Sequence, residues 1–137
     1  MKNQDIPPYM KNDRFAKLTG IETIIDEDGR PSAILTIAEK HLNGLQTAQG
    51  GSIFTLADHA FALASNTDGR ISVALNLSVN FINAARLGDT LRTKARELSR
   101  RRVISIYEIT VLNQEDQLIA TFTATAYKIG EQETISE

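Results

Sequence analysis

Two stretches carry residue types able to do chemistry at a useful spacing. The first is Gln49-Gly50-Gly51, where a glycine-containing loop meets a segment of helical periodicity. Glycine lets a ligand approach the backbone closely. The first N–H groups of a helix lack intrahelical partners and carry about half a positive charge. Such a terminus suits a phosphate, or an oxygen that gains negative charge during a reaction. The same glycines would also serve as a plain flexible lead into a helix. The second stretch centres on Asp58. On a helical wheel it falls on the polar margin between Ala62 and Ser65, away from Ile53 and Ala60. A carboxylate there can be a general base or a nucleophile, or an ordinary solvated side chain. Gly50 and Asp58 are eight residues apart, hence roughly 12 Å along one helix. A base and an oxyanion donor must each come within about 3 Å of the reacting atoms. One chain therefore cannot aim both at one carbonyl, whereas a two-fold dimer with helices side by side would create two shared sites.

A third feature is electrostatic. Arg86, Arg92, Lys94, Arg96, Arg100, Arg101 and Arg102 lie within seventeen residues against only Asp89 and Glu97, a local excess of five positive charges in a chain of net charge −2. Phosphate-bearing ligands favour such a cluster, although the same charges would suit an edge strand protected against aggregation. Structural or solvent-facing roles suit His41 and His59 better than catalysis. Ser72, Asn76, Ser78 and Asn80 alternate along one face of a strand, where one of them could position a water.

The elements that must hold these residues follow from periodicity. Asp13 can cap a short helix over Arg14–Leu18 that Gly20 ends. Ile21–Ile25 and Ser32–Ala38 read as a hairpin around Asp26-Glu27-Asp28-Gly29. A long helix is predicted over about 51–66, with Ile53, Leu56, Ala57, Ala60, Phe61 and Ala64 as its apolar stripe. Its many alanines let other elements approach closely. Four strands follow, over 71–82, 90–98, 103–112 and 118–127, and the short connections after the second and third make those neighbours antiparallel. The expected architecture is α+β, with five or six antiparallel strands curled around one helix. Residues 1–13 and 129–137 read as loosely held ends of one domain spanning 1–137.

Composition closes off other chemistry. The chain has no cysteine and only two histidines, which argues against a disulfide framework, a thiolate nucleophile and a zinc or Fe–S site. No metal or redox cofactor is expected. Slight acidity and 6% aromatics argue against nucleic-acid binding. No apolar run of about 18 residues and no signal-like start appear, so no membrane association is expected and a cytoplasmic location is.

The stretch HLNGLQTAQGGSIFTLADHAFALASN resembles the hotdog-fold acyl-CoA thioesterases of the phenylacetic-acid-degradation branch. The resemblance continues through ISVALNLSVNFINAARLGDTLRTKARELSR to TATAYK, roughly residues 14–128. It implies a hotdog fold and an acyl-CoA thioesterase that dimerises by joining sheets edge to edge and commonly forms tetramers. Gly50 would polarise the thioester carbonyl through its N–H. Asp58, from the neighbouring subunit, would activate water or attack directly. Asn43 would orient the thioester or the water, and Ser72 would hold that water. Gln49 and Gly51 would flank the thioester, and Arg100, Arg101 and Arg102 would hold the coenzyme A phosphates. The family usually has His-Gly-Gly where this chain has Gln49-Gly50-Gly51. Glutamine cannot carry a proton charge, which bears on rate, pH dependence or substrate more than on reaction class. The alternatives are a weakly active or non-catalytic acyl-CoA-binding or regulatory hotdog protein, and a hotdog dehydratase. The dehydratase needs a histidine paired with a carboxylate, and neither His41 nor His59 falls at the expected place. Phe54, Phe61, Phe81 and Ile82 could line an acyl pocket or belong to the core.

Overall fold

The structure, a computed structural model, describes residues 6–131. Its first helix, α1, spans Arg14–Thr19. Asp13 caps it by accepting from the Ala16 N–H, and Gly20 closes it at φ 94°, a left-handed conformation that glycine adopts without strain. The hairpin pairs β1, Glu22–Ile25, with β2, Pro31–Thr36. Asp26 Oδ1 shapes its turn by accepting from the N–H groups of Asp28 and Arg30, both at 2.9 Å.

The long helix α2 runs Gly50–Ser65. It is followed by β3, Arg70–Phe81, β4, Thr90–Arg100, β5, Ile104–Leu112, and β6, Leu118–Glu131. The six strands form one antiparallel sheet in the order β1-β2-β4-β5-β6-β3. α2 lies on its concave face. Leu56, Ala57, Ala60 and Phe61 pack there against Leu35, Leu91, Ile109 and Phe122, all essentially buried. Burying one such large side chain stabilises the fold by about 1.5–3 kcal/mol. Asn66 locks the end of α2 to β3: its Oδ1 accepts from the Ser72 N–H at 2.8 Å and its Nδ2 donates to Ala62 O at 2.8 Å.

Three expectations change. Residues 6–12 are packed: Pro8–Asn12 form a 3-10 turn, and Ile6 and Met10 bury against Leu63. Two apolar side chains with a floor to cover outweigh the irregularity that Pro7 and Pro8 impose. At the other end, β6 continues to Glu131 because residues 128–131 pair with the start of β3. The remaining terminal segments, 1–5 and 132–137, lie outside the described residues. Third, the arginine-bearing strand is an edge over part of its length: β4 pairs with β2 over Thr90–Arg92 only, and beyond that, where Lys94, Arg96 and Arg100 lie, with β5 alone. The outermost strands of the sheet are the short β1 and the long β3.

β3 does not keep one alternation. Its pairing with β6 shifts between Ile71 and Ser72 and again between Ala74 and Asn76, so Leu75 is the extra residue of a bulge. A bulge reverses which face each later side chain takes. Leu77 and Val79 turn toward the core. Ser72, which sequence parity would group with Asn76, Ser78 and Asn80, instead shares the helix-facing side with Leu77 and Val79, opposite Lys128, whose side chain is buried. Asn76, Ser78 and Asn80 face outward.

Candidate active site

The loop before α2 is built by Asn43. Its Oδ1 accepts from the N–H groups of Leu45 and Thr47 at 2.9 and 3.1 Å, and its Nδ2 donates to Thr47 Oγ1 at 3.0 Å. An amide nitrogen has two hydrogens, so one remains for a ligand. The loop is then fastened on both sides: Ala48 N–H donates to Ala85 O at 2.8 Å and Gln49 N–H to His41 O at 2.7 Å. His41 is itself buried and structural. Its Nδ1 accepts from the Ala38 N–H at 2.9 Å, so Nε2 carries the proton and donates to Thr19 O at 2.6 Å.

Gln49 caps α2 with its own side chain, whose Oε1 accepts from the Gly51 N–H at 2.8 Å. The Ser52 N–H and hydroxyl are taken by Gln49 O at 2.9 and 2.7 Å. The Gly50 N–H has no acceptor among the described residues. Of the N–H groups of Gly50, Gly51 and Ser52, that of Gly50 is therefore the one left free for a ligand. The ring of Phe81 stands over this glycine.

Asp58 is exposed in the single chain. Its carboxyl is nonetheless held above the ordinary carboxylate range, first by the protein packed around its stem, then by the charge of Asp13, with His59 opposing. Gly50 and Asp58 lie on the same uninterrupted helix, so the separation of roughly 12 Å stands. An open hollow of about 590 Å³ adjoins the helix terminus, bounded by Gln49, Gly51, Ser52 and Thr55 and by Phe15 and Leu18 of α1. Phe15 and Leu18 are exposed. Sequence periodicity did not single them out, because a helix of six residues is too short for a readable stripe.

Ser72 is buried, and its Oγ has no partner among the described residues. It lies beside the C-terminal end of α2, tied there by Asn66. The arginines divide. Arg100 is held by Glu97, with Nη2 to Oε2 at 2.8 Å and Nε to the same oxygen at 3.0 Å. Tyr107 donates to that oxygen at 3.0 Å. The Arg100 hydrogen bonds bring Glu97 below its ordinary value, and burial followed by Glu97 pushes Tyr107 up to about 12. Arg96 pairs with Glu108 at 3.1 Å and Arg92 pairs with Asp116. Arg101 and Arg102, at the β4–β5 turn, are exposed. Of the four candidate acyl-lining residues, Phe54 and Phe61 stack edge-on with Phe122 and Tyr107 in the core, while Phe81 and Ile82 are exposed. Among the described residues, no helix is long and apolar enough to cross a membrane.

An antiparallel sheet wrapped on one helix, with a free N–H at the helix start and a carboxylate two turns on, agrees with what family comparison finds. Residues 45–120, more than half of the chain, match the thioesterase superfamily, and the chain belongs to it. The fold is the hotdog fold and the chain is a thioester hydrolase. It is 34% identical over 127 residues to the acyl-coenzyme A thioesterase PaaI of Escherichia coli, covering 93% of this chain and 91% of that one. It is 33% identical to a putative esterase of Archaeoglobus fulgidus, over 92% of this chain and 82% of the other. The structure of the E. coli PaaI protein superimposes with a TM-score of 0.84 at 33% identity, covering 90% of this chain and 89% of that one. A Streptococcus mutans protein bound to acetyl CoA superimposes with a TM-score of 0.75 at 32% identity, covering 81% and 90%.

Proposed function

We propose that this chain hydrolyses acyl-coenzyme A thioesters to a free acid and coenzyme A, at sites shared between two subunits. The observation that carries the reading is the free N–H at Gly50 on the terminus of a sixteen-residue helix, aimed where a thioester oxygen would gain charge. Likeness to the E. coli acyl-coenzyme A thioesterase supports the substrate class.

The thioester carbonyl accepts from Gly50. Asp58 of the second subunit takes a proton from water, whose oxygen bonds to the carbonyl carbon while the π electrons move onto the oxyanion. Collapse breaks the C–S bond, and the coenzyme A thiolate leaves and is protonated. Alternatively Asp58 attacks first and water cleaves the resulting anhydride; transfer of solvent ¹⁸O into the Asp58 carboxylate in a single turnover distinguishes the two. Asn43, with one amide hydrogen free, orients the thioester or water. Ser72 holds the water, and Gln49 and Gly51 border the thioester. Arg101 and Arg102 meet the coenzyme A phosphates, and Arg100 does so only by leaving Glu97. The chemistry needs no metal or redox cofactor.

Self-association follows from the same reading. β3 is a long open edge with no proline or lysine and with exposed Val73 and Leu75, the kind of edge that pairs with another chain. Joining two β3 edges gives a dimer, and two dimers give the expected tetramer. The test is thiol release across a panel of acyl- and aryl-CoA substrates. Asp58→Asn is expected to abolish it with the oligomer intact. Tight binding of the panel with no thiol release by the unaltered protein would instead favour an acyl-CoA-binding protein.

A further inference from the structure

Behind Asp58 lies a chain of polar groups that the reaction above leaves unused. Asp13 divides its carboxylate between two tasks. Oδ1 accepts from the Ala16 N–H at 2.9 Å and so caps α1. Oδ2 lies 3.4 Å from Nδ1 of His59, and Nε2 of His59 is 3.1 Å from Thr23 Oγ1 on β1. The imidazole is only 5% exposed, although its neighbour in sequence, Asp58, is open. Three elements, α1, α2 and β1, therefore meet at one ring beside the reacting carboxylate. They enclose a cavity of about 200 Å³ that Lys11 and Lys17 also line.

We propose that Asp13 is a positioning residue for the hydrolysis: through His59 it holds the turn of α2 that carries Asp58. The proposal rests on Asp58 being the reacting group. A buried imidazole needs partners at both nitrogens. With the Asp13 carboxylate accepting from Nδ1–H, Nε2 is left to accept from the Thr23 hydroxyl. Without Asp13 the ring is free to exchange its proton between nitrogens and to turn, and the helix turn behind Asp58 loses its tie. Asp13 also opposes ionisation of Asp58. The cationic groups of this region, Lys11 and Lys17, lie on the cavity around His59. The strands meet α2 with apolar side chains such as Leu35, Leu91, Ile109 and Phe122. Tyr107, the titratable exception, is turned to Phe61 and Glu97.

Asp13→Asn separates charge from capping, because asparagine caps a helix about as well as aspartate. The acidic limb of kcat/KM against pH is expected to move down by about 0.3–0.5 unit, a two- to threefold gain on that limb, with the melting temperature unchanged. Asp13→Ala is expected to move the limb equally and also to lower kcat. Carboxyl ¹³C titration of Asp58, without substrate, should shift with the limb. An unmoved limb and an unmoved carboxyl titration in Asp13→Asn would overturn the proposal and leave Asp13 a helix cap only. A shifted carboxyl titration in a chain that hydrolyses no thioester would overturn the proposed function and leave the coupling of Asp13 to Asp58 standing.

Discussion

The ring of Phe81 occupies the space that a side chain on Gly50 would need. A Cβ at residue 50 would stand 3.0 Å from Phe81 Cζ and 3.4 Å from Cε2. A side chain at residue 50 therefore needs the exposed Phe81 ring at the end of β3 to give by a few tenths of an ångström. Gly50→Ala should push the helix terminus and the aromatic ring apart. Rates are sensitive to such displacements, about 1 Å costing on the order of a hundredfold, so kcat/KM for acyl-CoA is expected to fall several-fold with little change in melting temperature. Adding Phe81→Ala should recover part of the loss, since the clash is gone. Additive losses in the double variant would show that the ring does not limit residue 50.

Asp58→Asn is expected to lower turnover by about 10²–10⁴-fold and to raise the melting temperature at neutral pH. The sign follows from linkage. The folded carboxyl binds its proton more tightly than the unfolded one, so ionisation opposes folding above the unfolded value. That cost disappears as pH falls through the folded value, and it disappears in the asparagine variant. The gain in melting temperature over the unaltered chain should therefore shrink toward pH 4. A lower melting temperature at pH 7 would contradict this.

Ser72→Ala removes a buried hydroxyl that has no partner among the described residues. An unsatisfied buried polar group is costly, so the variant should gain up to about 1 kcal/mol in urea unfolding. If the hydroxyl holds the attacking water, kcat falls several-fold while KM stays. Unchanged kcat would remove Ser72 from the reaction.

Replacing Arg101 and Arg102 together by alanine should raise KM for acyl-CoA several-fold, leave kcat unchanged and flatten the dependence of KM on salt, as loss of phosphate contacts does. Arg100→Ala acts differently. It frees Glu97, whose lowered carboxyl contributes stability above its unfolded value that is lost as pH falls through the folded one. The acid-unfolding midpoint should move up in Arg100→Ala and stay in the double variant.

Much was legible in the chain itself. The spacing of Ile53, Leu56, Ala57, Ala60 and Phe61 placed the long helix to within a residue at each end. The Asp13 and Gly20 caps, the Asp26–Gly29 turn and the late strands followed from local side-chain chemistry, because caps, turns and periodicity are short-range. The distance between Gly50 and Asp58 needed only the helical rise, and from it came the expectation that one chain is part of a larger active unit.

Other features required the tertiary structure. The bulge at Leu75 turns Ser72 to the helix side. It arises from pairing with β6, about fifty residues away, and no local signal marks it. The positive cluster looked free because its acids, Glu108 and Asp116, are brought to it only by strand register and a distant turn. Asp13 is visible as a cap, but its second oxygen finds His59 46 residues on. Side-chain types and local spacing decided which groups could react. Long-range pairing and packing decided which of them are left free to do so.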